Sequence, residues 1–153
     1  MNGAQSVTIV ECAPRLLASV RRQASLATLT KVAAAAPLWE RAYANAIRHS
    51  RPVIVLYEAA GDAFFEPPGV PVDVGIEVDT SINDPVLAAL TSPGGRAAMA
   101  RHVGNEGTIR DTHQLIRDWC TAHGHTISGT VVMIHFWDDE PARRVTEINY
   151  LLA

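Results

Sequence analysis

The chain has 153 residues, thirteen Lys and Arg against sixteen Asp and Glu, a formal net charge of −3 and 48% hydrophobic residues. This is ordinary usage for one globular domain with one core, and it excludes intrinsic disorder. A slightly acidic surface has no general attraction for phosphate backbones, so no direct nucleic-acid partner is expected.

Two cysteines, Cys12 and Cys120, are too few for a disulfide framework. The N-terminus lacks a basic and apolar leader pattern. The longest stretch free of Asp, Glu, Lys and Arg, from Trp119 to Trp137, holds three histidines and two glycines. Neither secretion nor a membrane partner is expected from that. The expectation is a reduced, cytoplasmic protein without a cofactor.

In chain order, Val7 to Cys12 alternates apolar and polar residues and predicts a strand, and Leu16 to Arg22 continues extended beyond Pro14. From Ser25 to His49 apolar residues recur at spacings of three and four, through Leu26, Leu29, Val32, Leu38, Trp39 and Ala42. That predicts a helix, kinked or broken at Pro37, which lacks a backbone donor. Val53 to Tyr57 is short, apolar and rich in β-branched residues, which predicts a buried strand. Gly61 to Gly69, with Pro67 and Pro68, is a loop. Val70 to Val78 alternates, with Val70, Val72, Val74, Ile76 and Val78 on one face and Asp73 and Glu77 on the other.

Asn83 to Gly95 reads as a linker holding one helical turn. Arg96 to Val103 then predicts a strand. Thr108 to His123 predicts a helix with Ile109, Thr112, Leu115, Ile116 and Trp119 on one stripe, ended by Gly124. Gly129 to Trp137 and Arg144 to Leu152 predict two more strands around a turn at Pro141.

The order strand, helix, strand, strand thus occurs twice. At an offset of 80 residues Arg21 matches Arg101, Leu29 matches Ile109, Trp39 matches Trp119, and Tyr57 matches Trp137. The expectation is one domain over residues 1–153, with a first repeat at about 7–78, a linker at about 79–95 and a second repeat at about 96–152. The fold class is α+β: two strand-helix-strand-strand units around a pseudo-two-fold axis, with a central cleft of the kind that often binds ligands.

Four segments carry a resemblance to a known family: LLASVRR, AAMARHVGNEGTIRDTHQLIRDWCTAHGH, VVMIHFWDDEP and the terminal TEINYLL. Within them the order His102, Gly104, Trp119, Gly124 is the most specific feature. From about Val7 to Leu152 the chain resembles the GyrI-like small-molecule-binding family, also found as the effector-binding domain of AraC- and MerR-type multidrug regulators. The resemblance implies the same duplicated fold. Family members usually follow His-x-Gly with Pro-Tyr; here Asn105 and Glu106 follow Gly104. Many carry Glu-x-Tyr on the penultimate strand; here it is His135-Phe136-Trp137. A histidine thus stands where the drug-sensing relatives place the carboxylate that meets cationic ligands. No helix-turn-helix pattern precedes the resemblance, so direct DNA reading is not expected.

On the penultimate strand Val132, Ile134 and Phe136 share one face, expected to meet the helices. Val131, Met133, His135 and Trp137 share the other, expected to line the cleft. His135 can anchor a ligand by a hydrogen bond, act as a base near neutral pH, or be a satisfied core histidine. By repeat symmetry Tyr57 is expected to face Trp137, the two rings sandwiching a planar ligand. Asp73, Glu77 and Glu147 would bind a cation or hold a raised pKa if they stood in the cleft; a solvated strand face is the alternative. Glu106 either favours the start of the second helix through its dipole or partners His135. Cys120, His123 and His125 have ligand chemistry, but nothing nearby completes a four-coordinate site, so no metal is expected. Neither a Gly-x-Ser-x-Gly elbow nor a phosphate loop is present.

Three functions fit these residues. The favoured one is capture of a hydrophobic, partly aromatic small molecule for sensing, sequestration or resistance, with Tyr57, Asp73, Met133, His135, Trp137 and Glu147 as contacts. The second follows from the resemblance, because the family includes hydrolases that open cyclopropane rings of DNA-alkylating natural products. That chemistry needs an aromatic cage and an acid or base to place water, for which His135, Glu106 or Glu77 is the candidate. The third is a protein-interaction role such as gyrase inhibition, with a protein partner or a homodimer.

Overall fold

The computed structural model describes residues 3–4, 6–47, 52–59, 61–104 and 106–153, and there the alternating segments become one antiparallel sheet. Its strands among the described residues are β1 (Gly3–Ala4), β2 (Thr8–Cys12), β3 (Leu16–Ala24), β4 (Val53–Glu58), β5 (Val70–Glu77), β6 (Ala88–Thr91), β7 (Gly95–Val103), β8 (Ile127–Phe136) and β9 (Val145–Leu152). They lie in the order β1-β7-β9-β8-β4-β5-β3-β6, and β2 also pairs with β7. Three helices, α1 (Leu29–Ala35), α2 (Leu38–Ala44) and α3 (Ile109–Ala122), pack on one face.

The strand order is a palindrome of two units. β7-β9-β8 mirrors β3-β5-β4, and the two units meet where β4 pairs with β8. Ile54 lies opposite Ile134 in that pair. These residues are 80 apart, and an antiparallel pair built on a two-fold axis sets a residue opposite its own equivalent at the axis. The outer pairs repeat the pattern: Arg21 lies opposite Asp73 and Arg101 opposite Glu147, and each pair forms an ion pair.

Pro37 breaks the first helical stretch in two. A residue before proline is driven toward extended backbone, and Ala36 sits at φ −71°, ψ 140°. The expected helix end near His49 lies outside the described residues. The 83–95 segment differs from expectation: its centre forms β6, paired with Leu16–Ser19 of β3. The turn before it is an Asx turn, with the Asp84 carboxylate accepting from the backbone N–H groups of Val86 and Leu87 at 2.8 and 2.9 Å. Arg41 and Asn45 donate to the same carboxylate, so Asp84 also fastens the end of α2.

Only residues 13–15 join β2, beyond β7, to β3 near the far end of the strand order. Six strand spacings would separate them by about 29 Å in a flat sheet. Four residue steps reach about 14 Å, so the sheet must curl. The linker is laced to the β6–β7 connection: the Arg15 N–H donates to the Ser92 hydroxyl at 3.0 Å, and the Ser92 N–H donates to the Arg15 carbonyl at 2.8 Å.

Curling explains the second apolar cluster. Leu17, Ile54, Leu56, Val132 and Ile134 are buried together on the face away from the helices. The expectation that Val132 and Ile134 meet the helices is therefore corrected. The helices sit on the opposite face, with Val55, Tyr57, Val131 and Met133.

Candidate functional site

The floor of the candidate site is the β4–β8 pair seen from the helix side. Alternation puts Val53, Val55 and Tyr57 of β4 on that face with Val131, Met133 and His135 of β8. Register sets Val53 opposite His135, Val55 opposite Met133 and Tyr57 opposite Val131.

Over the Val53–His135 end opens a cavity of about 540 Å³. Leu26, Leu29, Thr30 and Ala33 form one wall, and Gly107, Ile109 and Arg110 form the other. Val53, Val55, Met133 and His135 make the floor, and Trp137, Thr146 and Phe65 complete the lining. No residue of α1 is buried, although its sequence is apolar, because its underside looks into this space.

His135 is half-buried. Its Nδ1 shares a 2.9 Å hydrogen bond with the hydroxyl of Thr146, its cross-strand neighbour on β9, which fixes the ring orientation. Trp137 is 64% exposed at the rim. The Arg144 guanidinium lies 3.6 Å from its ring centroid, and His135 meets it edge-on at 6.5 Å.

Tyr57 does not face Trp137. The axis passes through the Ile54–Ile134 pair, so equivalent residues on the two strands lie on opposite sides of it. Tyr57 and Trp137 therefore end about six residue steps apart, on the order of 20 Å. Phe64 is the ring that stacks on Tyr57, at 4.1 Å and 17°.

At this end side chains fill most of the cleft. Tyr57 lies beside Tyr150, whose hydroxyl shares a 2.7 Å hydrogen bond with His113 Nδ1. Burial raises the Tyr57 phenol strongly and pushes Tyr150 up to about 12. Burial and the nearby Arg117 charge lower His113 to about 3, so its imidazole is neutral. A smaller cavity of about 290 Å³ remains beside Tyr57, Tyr150, Phe64 and Arg117.

The acids are elsewhere. Asp73, Glu77 and Glu147 alternate onto the face away from the helices, because Val72, Val74, Ile76 and Ile148 take the helix side. Arginines hold them there: Arg21 donates to Asp73 at 3.0 Å, Arg15 to Glu77 at 3.0 and 3.1 Å, and Arg101 to Glu147 at 2.9 Å. A contact of these acids with a ligand in the cavity is thus corrected. Glu106 begins the 3-10 turn that leads into α3, and its side chain lies outside the described residues.

Near the end of α3, His123 and His125 stack on the Trp119 ring at 4.2 and 5.4 Å. Cys12 and Cys120 are both buried, and burial raises both thiols. Sequence reasoning missed the walls. Leu26 and Leu29 showed only helical spacing, and Phe65 sat in a loop rich in Gly and Pro. Val53 and Val55 were readable from their alternation with Tyr57.

No protein-family model and no curated protein matches the chain. Solved structures do. The C-terminal domain of EcmrR aligns with a TM-score of 0.76 at 13% identity, covering 98% of each chain. A hydrolase encoded by lin2189 from Listeria innocua aligns at 0.63 and 9% identity, covering 99% of this chain and 93% of that one. SAV2435 bound to tetraphenylphosphonium aligns at 0.59 and 11% identity, covering 97% of this chain and 94% of that one. Identities this low establish a common fold, and that fold is the GyrI-like α+β arrangement.

Proposed function

We propose that the protein binds a compact, apolar, partly aromatic small molecule in the larger cavity. The cavity itself carries this reading: about 540 Å³ of space with mostly apolar walls and a few polar groups, the usual make-up of a small-molecule site. A ring would lie on Val55 and Met133, with Trp137 at the rim to stack on it and His135 to orient it. SAV2435, which has the same fold, was solved with tetraphenylphosphonium, and that supports the class of ligand. A sensing, sequestering or resistance role would follow from capture alone.

A second reading, hydrolysis of an electrophilic aromatic, rests on His135. An imidazole oriented by Thr146 inside an apolar cavity can take a proton from water. No observation as specific as the cavity favours a protein-interaction role.

Tryptophan fluorescence titration with 2-naphthol and tetraphenylphosphonium tests both readings. Binding predicts quenching that disappears in Trp137→Ala, with the compound recovered unchanged. For hydrolysis, the panel adds an aryl cyclopropane. A hydrated product from it, lost in His135→Ala, would make the protein an enzyme. Quenching that is the same in wild type, Trp137→Ala and His135→Ala would remove the cavity as the site.

A further inference from the structure

Phe65 is the residue that lines both the 540 Å³ and the 290 Å³ cavity. Beneath it the floor is continuous, because Val53, Val55 and Tyr57 follow one another on the same face of β4, with His135, Met133 and Val131 opposite. The two cavities are thus consecutive lengths of one groove, divided by a single ring.

Weak contacts hold that ring. The guanidinium groups of Arg110 and Arg117 lie 5.4 and 5.5 Å from its centroid, and the His113 ring meets it edge-on at 5.2 Å. Its loop is pinned to α3 through an ion pair of 2.8 Å between Arg117 and Asp62, whose side chain is 57% exposed.

The two lengths differ in chemistry. The larger is mostly apolar, with His135, Thr30 and Thr146 in its lining and Arg110 in one wall. The smaller offers the Arg117 guanidinium and the hydroxyls of Tyr57, Tyr150 and Ser128. Behind Phe65, the buried Nε2 of His113 has no hydrogen-bond partner among the described residues. Groups of this kind suit a carboxylate or another acceptor.

We propose that Phe65 sets the length of ligand the site accepts: in place, it admits a compact aromatic ligand; displaced, it admits an elongated one whose anionic end reaches Arg117 and Tyr57. This rests on the larger cavity being the ligand site.

Calorimetric titration with ω-phenylalkanoates, from phenylacetate to 8-phenyloctanoate, tests it. Wild type is expected to prefer the short acids. Phe65→Ala is expected to bind 8-phenyloctanoate at least tenfold more tightly than wild type does, and to reverse the wild-type preference for short acids. Phe65→Leu, which keeps an apolar plug and so guards against a folding defect, should fall between. The gain should vanish when Arg117→Met is added to Phe65→Ala, and it should not occur with ω-phenylalkylamines. If the wild-type order of lengths persists in both Phe65 variants while phenylacetate still binds through His135, the inference about Phe65 is overturned and the site stands. A gain equal for acids and amines overturns the anionic end. Phenylacetate binding that ignores His135→Ala removes the site, and the inference with it.

Discussion

α1 and α3 occupy corresponding places over the two halves of the sheet, yet they meet it differently. α3 runs for 14 residues and buries Ile109, Thr112, His113, Ile116 and Cys120. α1 runs for seven residues, buries none, and is cut short by Pro37. The second half closes its core with its helix. The first half leaves a gap between helix and sheet, and the larger cavity opens there, bounded on its other side by Ile109 and Arg110 of the second half. Length and side-chain volume differ too: the first helix ends in three alanines, Ala33 to Ala35, before Pro37.

The same contrast runs along the β4–β8 pair. At the Tyr57 end, Phe64, Tyr57, Tyr150 and His113 narrow the groove to the smaller cavity. At the His135 end about 540 Å³ stays open among the described residues. Phe64→Ala should therefore show the largest effect, a loss of about 3–5 kcal/mol in urea denaturation, as for other buried Phe truncations. Leu29→Ala, at the wall of an existing cavity, should cost under about 1 kcal/mol, because fewer contacts are lost. Equal losses would erase the contrast between filled and open ends.

Acid should attack the filled end next. His113 is lowered from 6.5 to about 3, so the unfolded chain takes up this proton before the folded one does. The contribution is fully present above pH 6.5 and declines as the pH falls toward 3. In His113→Phe the dependence of stability on pH across that window should flatten, as read by denaturation at a series of pH values. An unchanged slope would mean that other groups carry it.

At the open end the effect should fall on binding. His135→Ala should weaken a compact aromatic ligand about tenfold, roughly 1.4 kcal/mol, while stability changes by about 1 kcal/mol or less. A large stability loss with unchanged affinity would make His135 a core residue only. The smallest effect belongs to the far face. Asp73→Ala should alter stability by about 0.5 kcal/mol and leave affinity unchanged, since its partner Arg21 is exposed to solvent. A binding defect there would put the ligand on the wrong side of the sheet.

Much of this was legible beforehand, for reasons that differ by residue. Val70 to Val78 alternates strictly and forms β5, because a half-covered strand needs that pattern. Pro37 breaks the helix as its chemistry requires. The offset of 80 was visible in Arg21 and Arg101. Its consequence for Tyr57 and Trp137 was not, because the direction of a two-fold axis depends on strand pairing.

Strand β6 escaped notice because Ala88-Ala89-Leu90-Thr91 is short and does not alternate. Phe64 and Phe65 were masked by a loop-forming context, although two adjacent aromatics in a loop need somewhere to be buried. Asp73 and Glu77 lie on the face of β5 opposite Val72, Val74 and Ile76, as their alternation predicts. Which face the helices covered was a tertiary matter, settled by the curl of the sheet.

The most direct test of the central claim is methyl-resolved NMR of the protein titrated with 2-naphthol. Shifts concentrated at Leu29, Val53, Val55 and Met133, with Leu56 and Val132 unmoved, are the predicted result. Shifts centred on Leu56 and Val132, or none at saturating ligand, would contradict the assignment of the larger cavity as the binding site.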